Sequence, residues 1–531
     1  MFLKFFQITK KANLIIVVAL FFVIFSNYSF FKNVLGVYPL ILKNIGFLAS
    51  LVIVLVNGIV ILFTLSCSKY TTKPVLIFFL LVTSLSSYFM DTYGVVIDDT
   101  MIDNLVKTDV AESLDLLSLK LGLYFLFFGV LPSIYVYKAK INYLPYSKEL
   151  FSCTKRIIVC LLIVVAVALP HSSFYASFIR EHKPLRYYTN PTYYIFSVAK
   201  YINMQLKVDS NVQMATLGVN AYIPETDTER ELIILIVGET ARADRFSLNG
   251  YSRKTNAYLE KENVISFPDF HSCGTTTAVS VPCMFSHLSR NDFSNEKARQ
   301  SENLLDVLTY AGVNVLWRDN NSDSKGVALR VKYENYKIPE NNTVCDIECR
   351  DEGMLIGLQD YINQQAKGDV FIVLHQMGNH GPAYYKRYPE NFERFTPTCQ
   401  TNQLEDCSVE EIGNTYDNAI LYTDYFLSQV IELLKQNTEE FETAMFYISD
   451  HGESLGEGGL YLHGLPYMMA PETQTHVPAI MWFGDRFQLN EQLVQSRSVD
   501  KYSHDNIFHT VLGFMEIETN VYNKNLDILK H

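Results

Sequence analysis

The chain has 531 residues, 49% of them hydrophobic, and a formal net charge of −12. That length exceeds one ordinary core, so two or more domains are expected. The acidic balance argues against a nucleic-acid-binding protein, which would present a basic face.

Nearly all long apolar runs lie before residue 178. A bilayer span needs about 20 apolar residues. Five stretches qualify: 13–31, 45–66, 75–96, 118–137 and 157–177. The first follows Lys4, Lys10 and Lys11 as a signal peptide would. It lacks a small-residue cleavage site and more spans follow, so it is read as retained. Lys69 and Lys73 lie between the second and third spans, and Lys138, Lys140, Lys148, Lys155 and Arg156 between the fourth and fifth. The alternate loops hold Lys32 and Lys43, then an acidic stretch from Asp98 to Asp115 whose one basic residue is Lys107. By the positive-inside rule the N-terminus is cytoplasmic, and five spans deliver the rest of the chain to the far side. Residues 1–177 are thus read as a five-helix transmembrane domain.

Residues 178–230 are read as an interfacial helix and linker. Pro184 and Pro191 interrupt helix. The aromatic load of Tyr187, Tyr188, Tyr193, Tyr194 and Phe196, with Arg180, Lys183 and Arg186, suits a bilayer interface, and equally a plain helix packed on protein. Pro224-Glu-Thr-Asp-Thr228 reads as a polar link.

From 231 to 531 strands and helices alternate. Leu232–Val237 is a short, fully apolar, branched run, as in a buried parallel strand. Similar runs are Val313–Trp317, Val370–Leu374, Ala444–Ile448 and Pro478–Trp482. Helical stretches near 301–311, 353–365 and 413–436 separate them. The pattern predicts an α/β domain with a mostly parallel central sheet.

Cys67, Cys153 and Cys160 fall in or beside the spans. The other six form close sequential pairs, Cys273/Cys283, Cys345/Cys349 and Cys399/Cys407, with no CxxC spacing. Six cysteines allow 15 connectivities, and local disulfides in an oxidising compartment are the simplest. Zinc binding by these cysteines is the rival.

In an open α/β sheet, ligands bind beyond the carboxyl ends of the strands. Four polar clusters follow strand-like runs here: Glu239, Asp319–Lys325, His375–His380 and Asp450-His451. Asp450 and His451 with Glu239 as a third ligand suit zinc, which takes nitrogen and oxygen ligands. A lone Asp-His is more often a cap and a surface contact; four clusters at one sheet edge favour the metal. The loop Cys273-Gly-Thr-Thr-Thr-Ala-Val-Ser-Val-Pro-Cys283 offers three hydroxyls before a helix start. A metal-activated hydroxyl could serve as nucleophile there, or Thr275–Thr277 could simply cap the helix. Composition does not choose among the three. Lys325, His380 and His463 suit a phosphate clamp and proton transfer. His271, His287, His375 and His476 are read as structural.

These segments together resemble the lipid A phosphoethanolamine transferases, which include the mobile colistin-resistance enzymes, in the alkaline phosphatase/sulfatase superfamily. The matching stretches are Val237-Gly-Glu-Thr-Ala-Arg-Ala-Asp244, Cys273 to Phe285, His375-Gln-Met-Gly-Asn-His-Gly-Pro382 with Tyr384–Pro389, and Ser449-Asp-His-Gly-Glu-Ser-Leu-Gly-Glu457 with Tyr461-Leu-His-Gly464. Thr276 stands where serine is common in that family. The resemblance implies an alkaline-phosphatase-like domain behind five membrane helices, in the inner membrane of a Gram-negative cell with the catalytic domain in the periplasm. It implies Zn2+ held by Glu239, Thr277, Asp450 and His451, with Thr277 the nucleophile, and additional Zn2+ near His380 and His463. It places Lys325, His380 and His463 around phosphoethanolamine, with Asn321 and Ser322 near that group. Asn104, Thr108 and Glu112 match a donor-lipid contact.

The implied partners are phosphatidylethanolamine as donor and lipid A of lipopolysaccharide as acceptor, the chain acting as a monomer. Thr277 would take phosphoethanolamine, release diacylglycerol, and pass the group to a lipid A phosphate. The surface would lose negative charge and bind polymyxins less. Rival readings are transfer to a core sugar, glycan or protein, a zinc phosphatase or sulfatase-like hydrolase, and a non-catalytic membrane sensor. The sulfatase signature Cys/Ser-x-Pro-x-Arg is missing, and a sensor has no need of the full ligand set.

Overall fold

A computed structural model of the protein describes residues 9–107, 116–207, 214–487 and 491–529. They fall into two compact units. One holds residues up to Ile102 and from Leu117 to Ile202; the other begins at Asn203 and takes in Asp103.

In the first unit, α1 (Lys11–Phe25) and α2 (Tyr28–Val37) meet at a bend of 56°. Then come α3 (Leu42–Ser66), α4 (Thr72–Tyr93), α5 (Asp99–Lys107), α6 (Leu119–Lys138) and α7 (Tyr146–Arg180). Among the described residues four helices are long and apolar enough to cross a membrane, or five if the bent pair is one span. The first expected span, 13–31, is therefore broken rather than continuous. Asn27 sits at the break, where its amide donates to Phe22 O and Asn190 O at 3.0 and 2.9 Å. A buried amide needs such partners, and an uninterrupted helix would not place them.

After a 3-10 turn at Lys183–Tyr188, α8 spans Thr192–Lys207. Part of the connector's aromatic load is packed inside this unit. Tyr188 and Tyr194 are buried, and the Tyr194 hydroxyl lies 2.9 Å from Thr83 Oγ1. Phe196 is exposed.

The second unit is built on one eight-stranded sheet. Its strands are β1 (Glu231–Gly238), β2 (Ile265–His271), β3 (Asn314–Asp319), β4 (Lys332–Asn335), β5 (Val370–His375), β6 (Glu442–Ser449), β7 (His476–Phe483) and β8 (Tyr502–Ser503). The order is β8-β2-β7-β6-β1-β5-β3-β4. From β6 to β4 all neighbours are parallel. The run at 478–482, similar in sequence to the parallel strands, forms β7, which is antiparallel to both β6 and β2. An apolar run records burial on two faces, and burial does not depend on strand direction.

Every residue of β1 is buried. Ile233, Leu235 and Val237 face one core, with α9 (Thr277–Met284), α10 (Leu304–Tyr310) and α13 (Ile507–Phe514). Leu232, Ile234 and Ile236 face another, with α11 (Leu358–Gln364) and α12 (Val409–Lys435). Each such side chain stabilises the fold by about 1.5–3 kcal/mol, an upper estimate. The longest helix of this unit, α12, starts at a capping box. Ser408 Oγ accepts from Glu411 N, and Glu411 Oε2 from Ser408 N.

Register places the chemistry. Gly238 pairs with Ser449, Val237 with His375, and His375 with Asp319. Four adjacent parallel strands therefore end on one line. Their following loops bring Glu239, Asn321, His380 and Asp450-His451 to the same edge.

Candidate active site

Glu239, Asp450 and His451 are each fully buried, and one ligand atom from each lies within 4.8 Å of the others. His451 Nε2 is 3.5 Å from Glu239 Oε1 and 3.4 Å from Asp450 Oδ2. Its other nitrogen, Nδ1, is 2.9 Å from Gly452 O, so in the neutral ring Nδ1 carries the proton and Nε2 is the nitrogen offered to a metal. Asp450 Oδ1 accepts from Thr240 N and His451 N, at 3.1 and 2.7 Å. Asp450 Oδ2 is buried without a hydrogen-bond partner. Glu239 Oε2 accepts from Asn321 Nδ2 at 2.8 Å, and Oε1 from the Thr240 hydroxyl.

The threonine loop meets this cluster at one point. Thr277 opens α9, and its Oγ1 lies 3.2 Å from Glu239 Oε2 and 3.5 Å from His451 Nε2. Thr276 is the residue before the helix, but no side chain there caps it, and its own hydroxyl is buried without a partner. Thr275 Oγ1 donates to Leu465 O at 2.7 Å. The three hydroxyls thus divide: one faces the carboxylates, one ties down the segment just after His463, and one is enclosed. The loop is closed by the Cys273–Cys283 disulfide, and Cys345–Cys349 and Cys399–Cys407 close the other two expected pairs.

The electrostatics call for a cation. Burial and the Glu239 charge push the Asp450 carboxyl up to about 6. Burial acts on Glu239 too, but His451 and His380 outweigh it and hold that carboxyl down at about 2. Burial works against a charged His451, while Asp450 and Glu239 raise its pKa. Two buried carboxylates, an imidazole nitrogen turned toward both and an orphaned Asp450 oxygen form a nitrogen-and-oxygen donor set that fits zinc.

Around the cluster, the His463 ring lies 4.3 Å from the His451 ring and 6.0 Å from the His380 ring. His463 Nδ1 is 3.1 Å from Glu453 Oε1, and Glu453 Oε2 accepts from the Tyr384 hydroxyl at 3.0 Å. Burial pushes the Glu453 carboxyl up to about 8. Lys325 Nζ donates to Ser322 O and Oγ at 2.9 and 2.7 Å, so Ser322 and Lys325 form one unit beside Asn321. Asn104 lies on α5, next to Asp103, which pairs with Arg299 at 3.5 Å. Thr108 and Glu112 lie outside the described residues.

Sequence reading missed Glu453, Tyr384 and Asp351. Glu453 and Tyr384 both stood in stretches quoted for the resemblance, which was the signal available for them. Asp351, fully buried, accepts from Met377 N and Gly378 N at 2.8 and 3.1 Å and shapes the loop before His380. No local pattern marked it. His375, read as structural, is enclosed with Nδ1 at 2.9 Å from Asp319 Oδ2.

Comparison with known proteins agrees with this architecture. Residues 231–517, more than half of the chain, match the sulfatase family model, and residues 55–206 match the model of phosphoethanolamine transferase EptA/EptB. The chain is 42% identical over 512 residues to phosphatidylethanolamine transferase Mcr-2 of Escherichia coli, covering 94% of each protein. It is 41% identical over 529 residues to phosphoethanolamine transferase EptA of E. coli K12, covering 97% of this chain and 96% of that one. Among solved structures, the integral membrane lipooligosaccharide phosphoethanolamine transferase A of Neisseria meningitidis superposes with a TM-score of 0.93. It is 35% identical, over 97% of this chain and 98% of that one. The membrane helices, the alkaline-phosphatase-like sheet and identity along both units make the chain a multi-pass inner-membrane protein with a periplasmic C-terminal domain, a member of the phosphoethanolamine transferase family.

Proposed function

We propose that the protein transfers phosphoethanolamine from phosphatidylethanolamine to a phosphate of lipid A through a covalent phosphoethanolamine–Thr277 intermediate. The observation that carries this is the placement of one threonine hydroxyl, at a helix start, 3.2 Å from a buried carboxylate and 3.5 Å from an imidazole nitrogen. A zinc ion held by Glu239, Thr277, Asp450 and His451 would lower the pKa of that hydroxyl and neutralise charge on the phosphoryl oxygens.

Thr277 Oγ, its proton already lost to solvent, attacks phosphorus as the alkoxide, the bond from phosphorus to the glycerol oxygen breaks, and diacylglycerol leaves. His380 or His463 gives the departing oxygen its proton. A lipid A phosphate oxygen then attacks the same phosphorus, and Thr277 leaves. The histidine that gave up its proton takes one back from the entering phosphate. Lys325, anchored on Ser322, supplies positive charge to the equatorial oxygens, and Asn321 holds Glu239 in place. The product hides negative charge on lipid A, so cells expressing the protein should survive higher polymyxin concentrations.

Intact-mass measurement of the purified chain after exposure to phosphatidylethanolamine tests the covalent step. A phosphoethanolamine adduct is expected on the native chain and absent from Thr277→Ala. Diacylglycerol release with no Thr277-dependent adduct would sink the scheme. Mass spectrometry of lipid A from an expressing host tests the acceptor.

A further inference from the structure

His380 is carried by a loop between β5 and the short turn at Tyr384–Lys386. A separate segment, 345–351, grips that loop along its length. Asp351 holds its front through Met377 N and Gly378 N. Arg387 holds its rear: Nε donates to His380 O at 2.6 Å, and the same guanidinium pairs with Glu348. Arg350 repeats the pattern beside it, donating to Lys386 O at 2.6 Å while pairing with Asp346 at 2.5 Å. Asp346 and Glu348 stand in the turn that the Cys345–Cys349 disulfide closes.

Both arginines are buried, at 6% and 4% exposure. A buried ion pair is weak support for stability, because desolvation consumes most of the attraction. What a guanidinium supplies is direction. Its planar fork holds a carboxylate on one side and a carbonyl on the other at fixed angles. The anchor for Glu348 is a disulfide-closed turn, which cannot swing with the loop it holds. A rigid grip on the backbone of His380 fixes where its ring stands relative to Thr277.

We propose that Arg387, clamped by Glu348 in the disulfide-closed turn, is a positioning residue that sets the reach of His380 to the reacting group. This rests on the reading of His380 as a proton donor in the transfer. A displacement of about 1 Å in such a group lowers rate about 100-fold, with little effect on binding.

The test uses the full chain in proteoliposomes containing phosphatidylethanolamine and lipid A. Arg387→Met keeps much of the volume and removes both contacts. Turnover is expected to fall about 10- to 100-fold with KM little changed and the melting midpoint retained. Added guanidinium ion should restore part of the rate, and Glu348→Gln should show a smaller fall of the same kind. If Arg387→Met does not fold, Arg387→Lys carries the test, since one ammonium cannot hold both partners in the same geometry. Native turnover in Arg387→Met alongside a slow His380→Ala overturns the positioning role and leaves the reading of His380 standing. A rate loss that only tracks a lower melting midpoint, with no guanidinium rescue, also overturns it. Native turnover in His380→Ala removes the reading beneath, and the inference falls with it.

Discussion

Asp450 and Glu239 are both fully buried, yet their carboxyls move in opposite directions, to about 6 and about 2. Glu239 has three histidines and three hydroxyl or amide donors about it, whereas Asp450 faces Glu239 itself. In the absence of a cation His451, raised above its ordinary value by Asp450 and Glu239, takes a proton first as pH falls, and Asp450 follows at about 6. A bound metal must displace these protons, so affinity declines as pH falls. Zinc retained after dialysis, measured by elemental analysis, should be high near pH 8 and low near pH 5. Asp450→Asn should lose zinc at both, with activity falling along with metal content; full zinc in that variant would remove Asp450 from the ligand set. A chelator should likewise abolish adduct formation on Thr277, and added zinc should restore it. At this scale the sequence was informative in proportion to chemical rarity. An Asp-His pair and a clustered set of threonines can be found by reading. The choice of Thr277 among three hydroxyls came only with resemblance, because it depends on which residue opens α9.

At the scale of elements, the edge of the sheet opposite the site holds a second acidic pairing. Glu231 starts β1 and Asp369 immediately precedes β5; Glu231 N donates to Asp369 Oδ1 at 3.3 Å, and both side chains are buried. Burial and the Asp369 charge push the Glu231 carboxyl up to about 10, against 4.5 for an ordinary glutamate. The folded chain therefore holds a proton that the unfolded chain releases across that window. Stability falls as pH rises through it. Glu231→Gln cannot ionise, so its melting midpoint should rise above the native one near pH 9 by a few degrees and match it near pH 5. Thermal unfolding across pH checks this, and parallel curves would refute it. The disulfide across the Thr277 loop belongs to the same scale. Closing a loop of that size contributes roughly 2–3 kcal/mol. Cys273→Ser should lower the melting midpoint and, if the loop's main task is to hold the hydroxyl, lose activity while still folded; unchanged activity would reject that task. The central strands were legible because burial on two faces leaves only apolar residues. β2 escaped because more than half its residues are partly exposed and it contains Pro268, and β4 and β8 escaped because short edge strands carry exposed or polar side chains. The direction of β7 escaped because composition does not encode it, and the bend at Asn27 escaped because its partner is Asn190, far along the chain.

For the whole molecule, the division into a membrane unit and a catalytic unit was visible in hydropathy alone. The reason for joining them is chemical. The proposed donor and acceptor are both lipids that scarcely enter water, so a soluble catalyst would meet them at the rate of its own adsorption. A tether converts that encounter into one at fixed high effective concentration, a gain of about 100- to 10,000-fold when reach and geometry allow. A chain beginning at Asn203 retains every residue proposed to hold zinc or touch phosphorus. On vesicles of phosphatidylethanolamine it should acquire the Thr277 adduct about 100-fold or more slowly than the full chain at equal concentration. On a short-chain, water-soluble phosphatidylethanolamine the two should react alike. Equal loss on both substrates would mean that the membrane unit, or the α5 segment with Asn104 and Asp103, completes the site itself. Equal rates on vesicles would mean that adsorption never limits the reaction and that the membrane helices serve another purpose.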